Sequence, residues 1–298
     1  MDRGNAKAYK PKVKAPDPML VGKTRGVLQA HALTTVCEES ACPNRSECYA
    51  RGTATLMILG DICTRSCRFC NVKTGRGAPP DPTEPTRVAA AVKALGLRYA
   101  VITSVDRDDL ADYGSGHFVA VVEAIREAAP EAKIELLTPD FRGDEAALGR
   151  IVACGADKLA HNEETVRRLS PAIRPQSDYD RSLEVLRYYA AHFDGPVKSS
   201  LMVGLGEEEG EIIETMKDLY DAGVRELTIG QYLQPTPRHH PVQRYYPPEF
   251  FEILREKARK IGFDAVASGV LVRSSYYAEK LGQEEESSEL STAVQQDL

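Results

Sequence analysis

Beyond residue 53, apolar and polar positions alternate between two periods. Ala54–Gly60 (ATLMILG) is a short, nearly continuous apolar run, the pattern of a strand buried on both faces. Arg87–Leu95 then places Val88, Val92 and Leu95 at helical spacing. The same pair recurs down the chain. Strands are predicted at Tyr99–Ser104, Lys133–Pro139, Lys158–Ala160, Val197–Leu205, Glu226–Leu233 and Asp264–Ser268. Helices are predicted at Phe118–Ala128, Glu145–Ala153, Arg181–Ala191, Glu209–Ala222 and Pro248–Ile261. Strands alternating with amphipathic helices form a parallel sheet with covering helices, as an open doubly wound sheet or a barrel. No Gly-x-Gly-x-x-Gly follows the first strand, which argues against dinucleotide binding. Residues 1–50, broken by Pro11, Pro16, Pro18 and Pro43, read as an irregular leader.

The chain has 298 residues, 42% hydrophobic and 28% charged, the balance of a globular protein with a real core. No apolar run is long enough to span a membrane, and the polar, lysine-rich start has no export signal. We therefore expect a cytoplasmic protein with no membrane partner. A net charge of −6 argues against nucleic acid. The charge is uneven. Arg3, Lys7, Lys10, Lys12, Lys14, Lys23 and Arg25 make the start a basic arm suited to an acidic protein partner, and Glu284, Glu285, Glu286, Glu289 and Asp297 make the end acidic.

Six of the seven cysteines fall into two triplets: Cys37, Cys42 and Cys48, then Cys63, Cys67 and Cys70. In a reducing compartment such cysteines serve metals or catalysis rather than disulfides. The second triplet follows the first strand, where parallel α/β folds build their sites. Three thiolates can hold an iron–sulfur cluster and leave one iron open. A structural zinc site needs four closing ligands, and this segment has three cysteines and no histidine. The lone Cys154, before Gly155, reads as a buried structural thiol.

The C-x3-C-x2-C spacing, with Phe69 before its last cysteine, resembles the signature of the radical S-adenosylmethionine (SAM) superfamily. Together with C-x4-C-x5-C at Cys37–Cys48, it resembles the lipoyl synthase family within it. Segments 56–70, 103–110, 161–165, 198–207, 227–236 and 272–276 carry the same resemblance, which runs from about Lys10 to Ala278. It implies a partial (β/α)6 TIM-like barrel over residues 54–270. A leader, 1–53, carries the first triplet, and an extension, 271–298, carries Arg273-Ser274-Ser275-Tyr276 and the acidic tail. It also implies two 4Fe–4S clusters and SAM as cofactors. The implied reaction inserts two sulfur atoms at C6 and C8 of a protein-bound octanoyl-lysine, with the cluster at Cys37, Cys42 and Cys48 as sulfur donor.

By the same resemblance, Cys63, Cys67 and Cys70 hold the cluster that reduces SAM, and Ser274, with Ser275 as fallback, is the fourth ligand of the other. An alkoxide is a hard ligand beside soft thiolates, so it is expected to be the bond that leaves first. Read without the resemblance, Ser274 caps a helix over Tyr276–Leu281. Tyr277 stands where the family usually has histidine. The superfamily pattern places Phe69 near adenine, with Thr103, Ser104, Asp106, Arg107 and Asp108 near the methionine part of SAM. Asn162, Arg174, Lys198, Ser200, Gln231 and Gln234 are further candidate contacts, whereas Glu207–Glu209 read as a solvated loop and helix start. Implied partners are an octanoylated lipoyl carrier domain or glycine-cleavage H protein, a ferredoxin- or flavodoxin-type reductant, and an iron–sulfur carrier that rebuilds the consumed cluster. Two other readings are a methylthiotransferase, whose flanking domains this chain lacks, and a non-enzymatic iron–sulfur carrier, which needs no scaffold of this size.

Overall fold

In a computed structural model, which describes residues 16–281, the described part of the leader forms helices rather than an irregular stretch. Helix α1 (Pro18–Ala30) begins on a proline, whose missing N–H costs nothing in a first turn, and Asp17 Oδ1 accepts from Met19 N at 2.8 Å. Pro18 therefore starts an element that the proline pattern predicts it to break. Strand β1 (Thr34–Thr35) leads into α2 (Val36–Glu39) and α3 (Arg45–Ala50). Thr24 Oγ1 donates to Tyr49 O at 2.6 Å and ties α1 to α3. Arg3, Lys7, Lys10, Lys12 and Lys14 of the basic arm, and the acidic tail beyond Leu281, lie outside the described residues.

The barrel strands follow: β2 (Thr55–Ile58), then the short pair β3 (Ile62–Cys63) and β4 (Lys73–Thr74), and α4 (Glu84–Leu95). Next come β5 (Tyr99–Ser104), α5 (Ser115–Ala128), β6 (Lys133–Leu137), α6 (Glu145–Ala153), β7 (Lys158–Ala160), the single turn α7 (Ser170–Ile173) and α8 (Tyr179–His192). The series closes with β8 (Val197–Val203), α9 (Glu209–Asp221), β9 (Glu226–Gln231), α10 (Pro248–Ile261) and β10 (Ala265–Gly269). The large sheet has the order β1-β2-β5-β6-β7-β8-β9-β10. Seven of its strands are parallel and only β1 is antiparallel. Sequence order equals spatial order, which is barrel winding rather than the reversed order of a doubly wound sheet. Among the described residues β10 pairs with β9 alone, so the barrel is open, with six strand–helix units and a seventh strand.

The apolar core lies between the sheet and its helices, with Ile102, Ile134, Leu159, Leu227 and Ile229 inaccessible to solvent. The barrel interior is different. Lys198 on β8 is paired with Glu135 on β6, and Tyr99 donates to Glu135 at 2.6 Å. Lys158 Nζ lies 2.6 Å from Glu226 and 3.3 Å from the Leu281 carbonyl. Burial raises Glu226, against the pull of Lys158. Buried charges persist only when paired in this way. This layer is the barrel floor, and the end of the described chain rests on it.

Candidate active site

The loop after β2 carries Cys63, Cys67 and Cys70, and one buried guanidinium holds it in shape. Arg65, 3% exposed, donates to Asp108 through Nε and Nη2, both at 2.8 Å, and to Asp140 at 2.6 Å; its Nη1 lies 3.3 Å from Asp106. Burial opposes ionisation of Asp140, but Arg65 outweighs it and holds that carboxyl well below its usual range. At Asp106 burial wins over Arg65 and the carboxyl is raised. The Cys63 thiol donates to Asp106 Oδ2 at 3.6 Å. Replacing Arg65 by Met is expected to leave the carboxylates uncompensated, at a cost of about 3–5 kcal/mol. Bound iron then falls by half, a loss that Arg65→Lys does not repair, because a single ammonium cannot fork between three carboxylates. Iron content and the urea midpoint of each variant check this.

A segment after β9 clamps the loop from the other side. His239 Nε2 lies 3.0 Å from the Cys70 carbonyl, His240 N donates to the Arg68 carbonyl at 2.9 Å, and Arg68 N donates to Ile173 O at 2.8 Å. These two histidines were not singled out by the sequence; they act on backbone carbonyls, and no motif announces such contacts. Glu207, read as part of a solvated loop, is instead buried and accepts from Gly204 N at 2.6 Å and Leu205 N at 2.9 Å.

The first triplet is built by α2, the loop after it and α3, which carry Cys37, Cys42 and Cys48. The C-terminal segment docks on it. Tyr276 donates to Glu47 at 2.9 Å and Tyr277 at 3.1 Å, and Arg51 stacks 3.6 Å from the centre of the Tyr277 ring. Arg51 also pairs with Glu279. Tyr277 sits at φ 51°, a left-handed conformation uncommon for a bulky residue. These contacts give Tyr277 a structural place between α3 and the C-terminal segment. Gly230 lets the segment approach β9, since a Cβ there would stand 2.1 Å from the Val272 carbonyl. Residues 274–281 form turns rather than the helix that a capping Ser274 requires.

Both triplets, Ser274 and Ser275 line one cavity of about 480 Å³ at the carboxyl ends of the strands. All six thiols are free of disulfides. Six cysteine sulfurs facing one cavity are the soft donors that iron–sulfur groups take. Burial pushes the thiols of Cys63, Cys67 and Cys48 up to about 12 and those of Cys70 and Cys37 to about 11. At neutral pH they are protonated, and each must release its proton to ligate. Loading of the apo chain with iron and sulfide is therefore expected to be favoured as pH rises from 7 to 9, checked by absorbance titration across that pH range.

Of the expected SAM contacts, Phe69, Thr103, Ser104, Asp106, Asn162, Arg174, Ser200, Gln231 and Gln234 line this cavity. Ser104 Oγ and Asn162 Oδ1 are buried without a hydrogen-bond partner, the state of groups awaiting a polar ligand. Arg174, held by the Glu163 carbonyl at 2.7 Å, is the cation acting on Cys67. Phe69 packs with Ile173, Leu205 and Tyr232. Gln231 lines the wall, but its amide is committed to the Val203, Tyr232 and Arg244 carbonyls and the Tyr246 N–H. Arg107, Asp108 and Lys198 lie elsewhere. Arg107 is buried against Asp109 at 2.8 and 3.0 Å, Asp108 binds Arg65 and Arg142, and Lys198 is in the barrel floor. Cys154 is half-buried at the end of α6 rather than fully buried.

Comparison with known proteins agrees with this geometry. The Radical SAM superfamily matches residues 57–219. A lipoyl synthase of Xylella fastidiosa (strain M23) is 50% identical over 277 residues, covering 92% of this chain and 74% of the relative. One from Flavobacterium psychrophilum (strain ATCC 49511) is 51% identical, covering 90% and 93%. Among solved structures, methylornithine synthase shares the fold, with a TM-score of 0.54 at 16% identity, over 77% of this chain and 74% of that one.

Proposed function

Because the chain belongs to the lipoyl synthase family of the radical SAM superfamily, we propose a division of labour between its two cysteine triplets. The family inserts sulfur into an octanoyl substrate carried on a lipoyl domain, and this chain is a sulfur-inserting enzyme of that kind. In our reading, Cys63, Cys67 and Cys70 hold the SAM-cleaving cluster. Cys37, Cys42, Cys48 and Ser274 hold the auxiliary one. When bound, these groups supply the electron that cleaves SAM to a hydrogen-abstracting radical, and the sulfur that is inserted. The single observation that carries this reading is the shared cavity, which both triplets line.

The chain's own residues then have separable tasks. Asp106, Ser104, Asn162 and Arg174 offer charge and hydrogen bonds to the polar parts of SAM, with Phe69 as an apolar surface for its base. Met57, Val101, Leu137 and Leu201 line the same cavity and suit an alkyl chain. An unactivated C–H bond has no acidic proton, so the site needs placement and exclusion of water rather than a general base. The divisions 1–53, 54–270 and 271–298 follow these tasks, although residues 271–281 pack on α3 and the barrel floor. A glycine-cleavage H protein, a small electron carrier and a cluster-rebuilding partner remain part of the proposal. Among the described residues no helix is long and apolar enough to cross a membrane. The free thiols support a cytosolic setting.

Anaerobic incubation with SAM, dithionite and an octanoyl-lysine peptide tests the reading. It predicts 5′-deoxyadenosine and a dithiolated peptide, and absence of 5′-deoxyadenosine overturns it. Replacing Ser274 by Ala is expected to spare SAM cleavage while sulfur insertion falls by about 10²-fold or more, the scale of losing a group on which one step depends. Mass spectrometry of the peptide checks this.

A further inference from the structure

We propose that His161 is a positioning residue for SAM: a neutral imidazole locked between β6 and α8, it fixes Ser182, and Ser182 with the Glu163 carbonyl leaves the free edge of the Arg174 guanidinium for the SAM carboxylate. The inference rests on the reading of Cys63, Cys67 and Cys70 as the SAM-cleaving site. The parts meet at the carboxyl ends of two paired strands. Thr138 follows β6 and His161 follows β7, and Thr138 N donates to the Ala160 carbonyl at 2.9 Å. The Thr138 hydroxyl lies 2.8 Å from the Tyr189 hydroxyl on α8. His161 is buried in the corner so formed. Its Nδ1 is 2.9 Å from the Thr138 carbonyl, and its Nε2 is 3.1 Å from Ser182 Oγ, also on α8.

Counting protons gives each group its role. A carbonyl only accepts, so Nδ1 carries the ring proton. Burial first, and the Arg174 cation second, lower His161 to about 4, so at neutral pH Nε2 has no proton. Nε2 therefore accepts from the Ser182 hydroxyl. The Ser182 proton is then committed, and its lone pairs are left for a donor. That donor is Arg174 Nη1, 3.5 Å away in the empty site. Nη1 also donates to the Glu163 carbonyl at 2.7 Å and lies 3.4 Å from Glu163 Oε1. Among the described residues every hydrogen bond of the Arg174 side chain leaves from Nη1, and the edge formed by Nε and Nη2 makes none. Arg174 lines the cavity, and its charge acts on Cys67. Parallel N–H groups on one edge of a guanidinium match the two oxygens of a carboxylate, which SAM carries. The backbone couples this edge to the cluster loop, because Ile173, the residue before Arg174, accepts from Arg68 N at 2.8 Å. Without the ring to take it, the Ser182 proton can turn toward Nη1, donor against donor, and the guanidinium loses one of its two supports. His161 thus acts through Ser182 and Arg174 rather than by touching SAM.

The test uses full-length protein with both clusters loaded anaerobically and iron content matched to the parent. Equilibrium dialysis measures binding of SAM and, beside it, of decarboxylated SAM, which keeps the sulfonium and the amino group. His161→Asn retains a donor for the Thr138 carbonyl but places nothing at the position of Nε2. It is expected to weaken SAM by about 10-fold, the scale of a hydrogen bond to a charged group, and to leave decarboxylated SAM unchanged relative to the parent. His161→Gln, whose amide reaches the Nε2 position, restores SAM binding. Ser182→Ala gives the same selective loss, and it reports the link should the histidine variant fail to fold. Equal weakening of both ligands overturns the proposal, because it marks a histidine that only supports the fold. SAM binding unmoved by Ser182→Ala overturns it as well, and in both cases the parent's own affinity for SAM leaves the two-cluster reading intact. A fully loaded parent that binds no SAM overturns that reading and this proposal with it.

Discussion

With Cys37, Cys42 and Cys48 all replaced by Ala, the protein is expected to keep cleaving SAM and to insert no sulfur. Cleavage rests on the loop after β2 and the SAM-facing residues; the loop is held by Arg65, His239 and His240, and none of those bonds involves these three cysteines. Insertion needs the sulfur source, and no other cysteine lines the cavity besides the second triplet. In the assay, 5′-deoxyadenosine accumulates at a rate comparable to the parent, and the octanoyl peptide returns with no added sulfur. Iron per chain falls to half, from about eight to about four at four per cluster. A triple variant that still makes dithiolated peptide overturns the assignment of the sulfur source. One that no longer cleaves SAM shows that the two sites are not separable.

The converse change has the larger effect. Replacing Cys63, Cys67 and Cys70 by Ala removes the open-iron site, and both products disappear together. SAM cleavage falls to its uncatalysed level, a loss of about 10⁶-fold or more. No side chain in the cavity offers another route, because acid–base groups such as Asp106 cannot break an alkyl C–H bond. The same protein retains about four irons on the first triplet. Liquid chromatography of 5′-deoxyadenosine, read with iron content, separates loss of chemistry from loss of folding.

The barrel was legible because its strands are buried on both faces: YAVITS at 99–104 reads as strand from composition alone, and its ends match. The cysteines were legible from spacing. What the sequence concealed are residues whose meaning depends on a distant partner. Arg107 and Arg65 look alike in a polar stretch; only the fold shows that Arg65 faces three aspartates across the cluster loop while Arg107 is satisfied by its neighbour Asp109. Lys198 on an apolar strand suggested a ligand, but Glu135, 63 positions away, neutralises it. The leader was misread because proline breaks a helix interior yet favours a first turn, and Asp17-Pro18 is the second case. Ser274 and Ser275 are adjacent and identical in type, and only the hydrogen bond between Thr55 and Ser275 distinguishes them.

The docking of the C-terminal segment on α3 also bears on how the protein is born. Glu47 and its tyrosine partner are 229 positions apart. A ribosome adding 5–20 residues each second takes on the order of 10–50 s to cover that distance. Through that interval the nascent chain carries three thiols with no lid over them. The cover over the first triplet must then wait for the C-terminal segment to be made, and aerobic synthesis exposes these thiols to oxidants before it arrives. Expression in low oxygen, with iron delivery timed after translation, follows as a practical consequence.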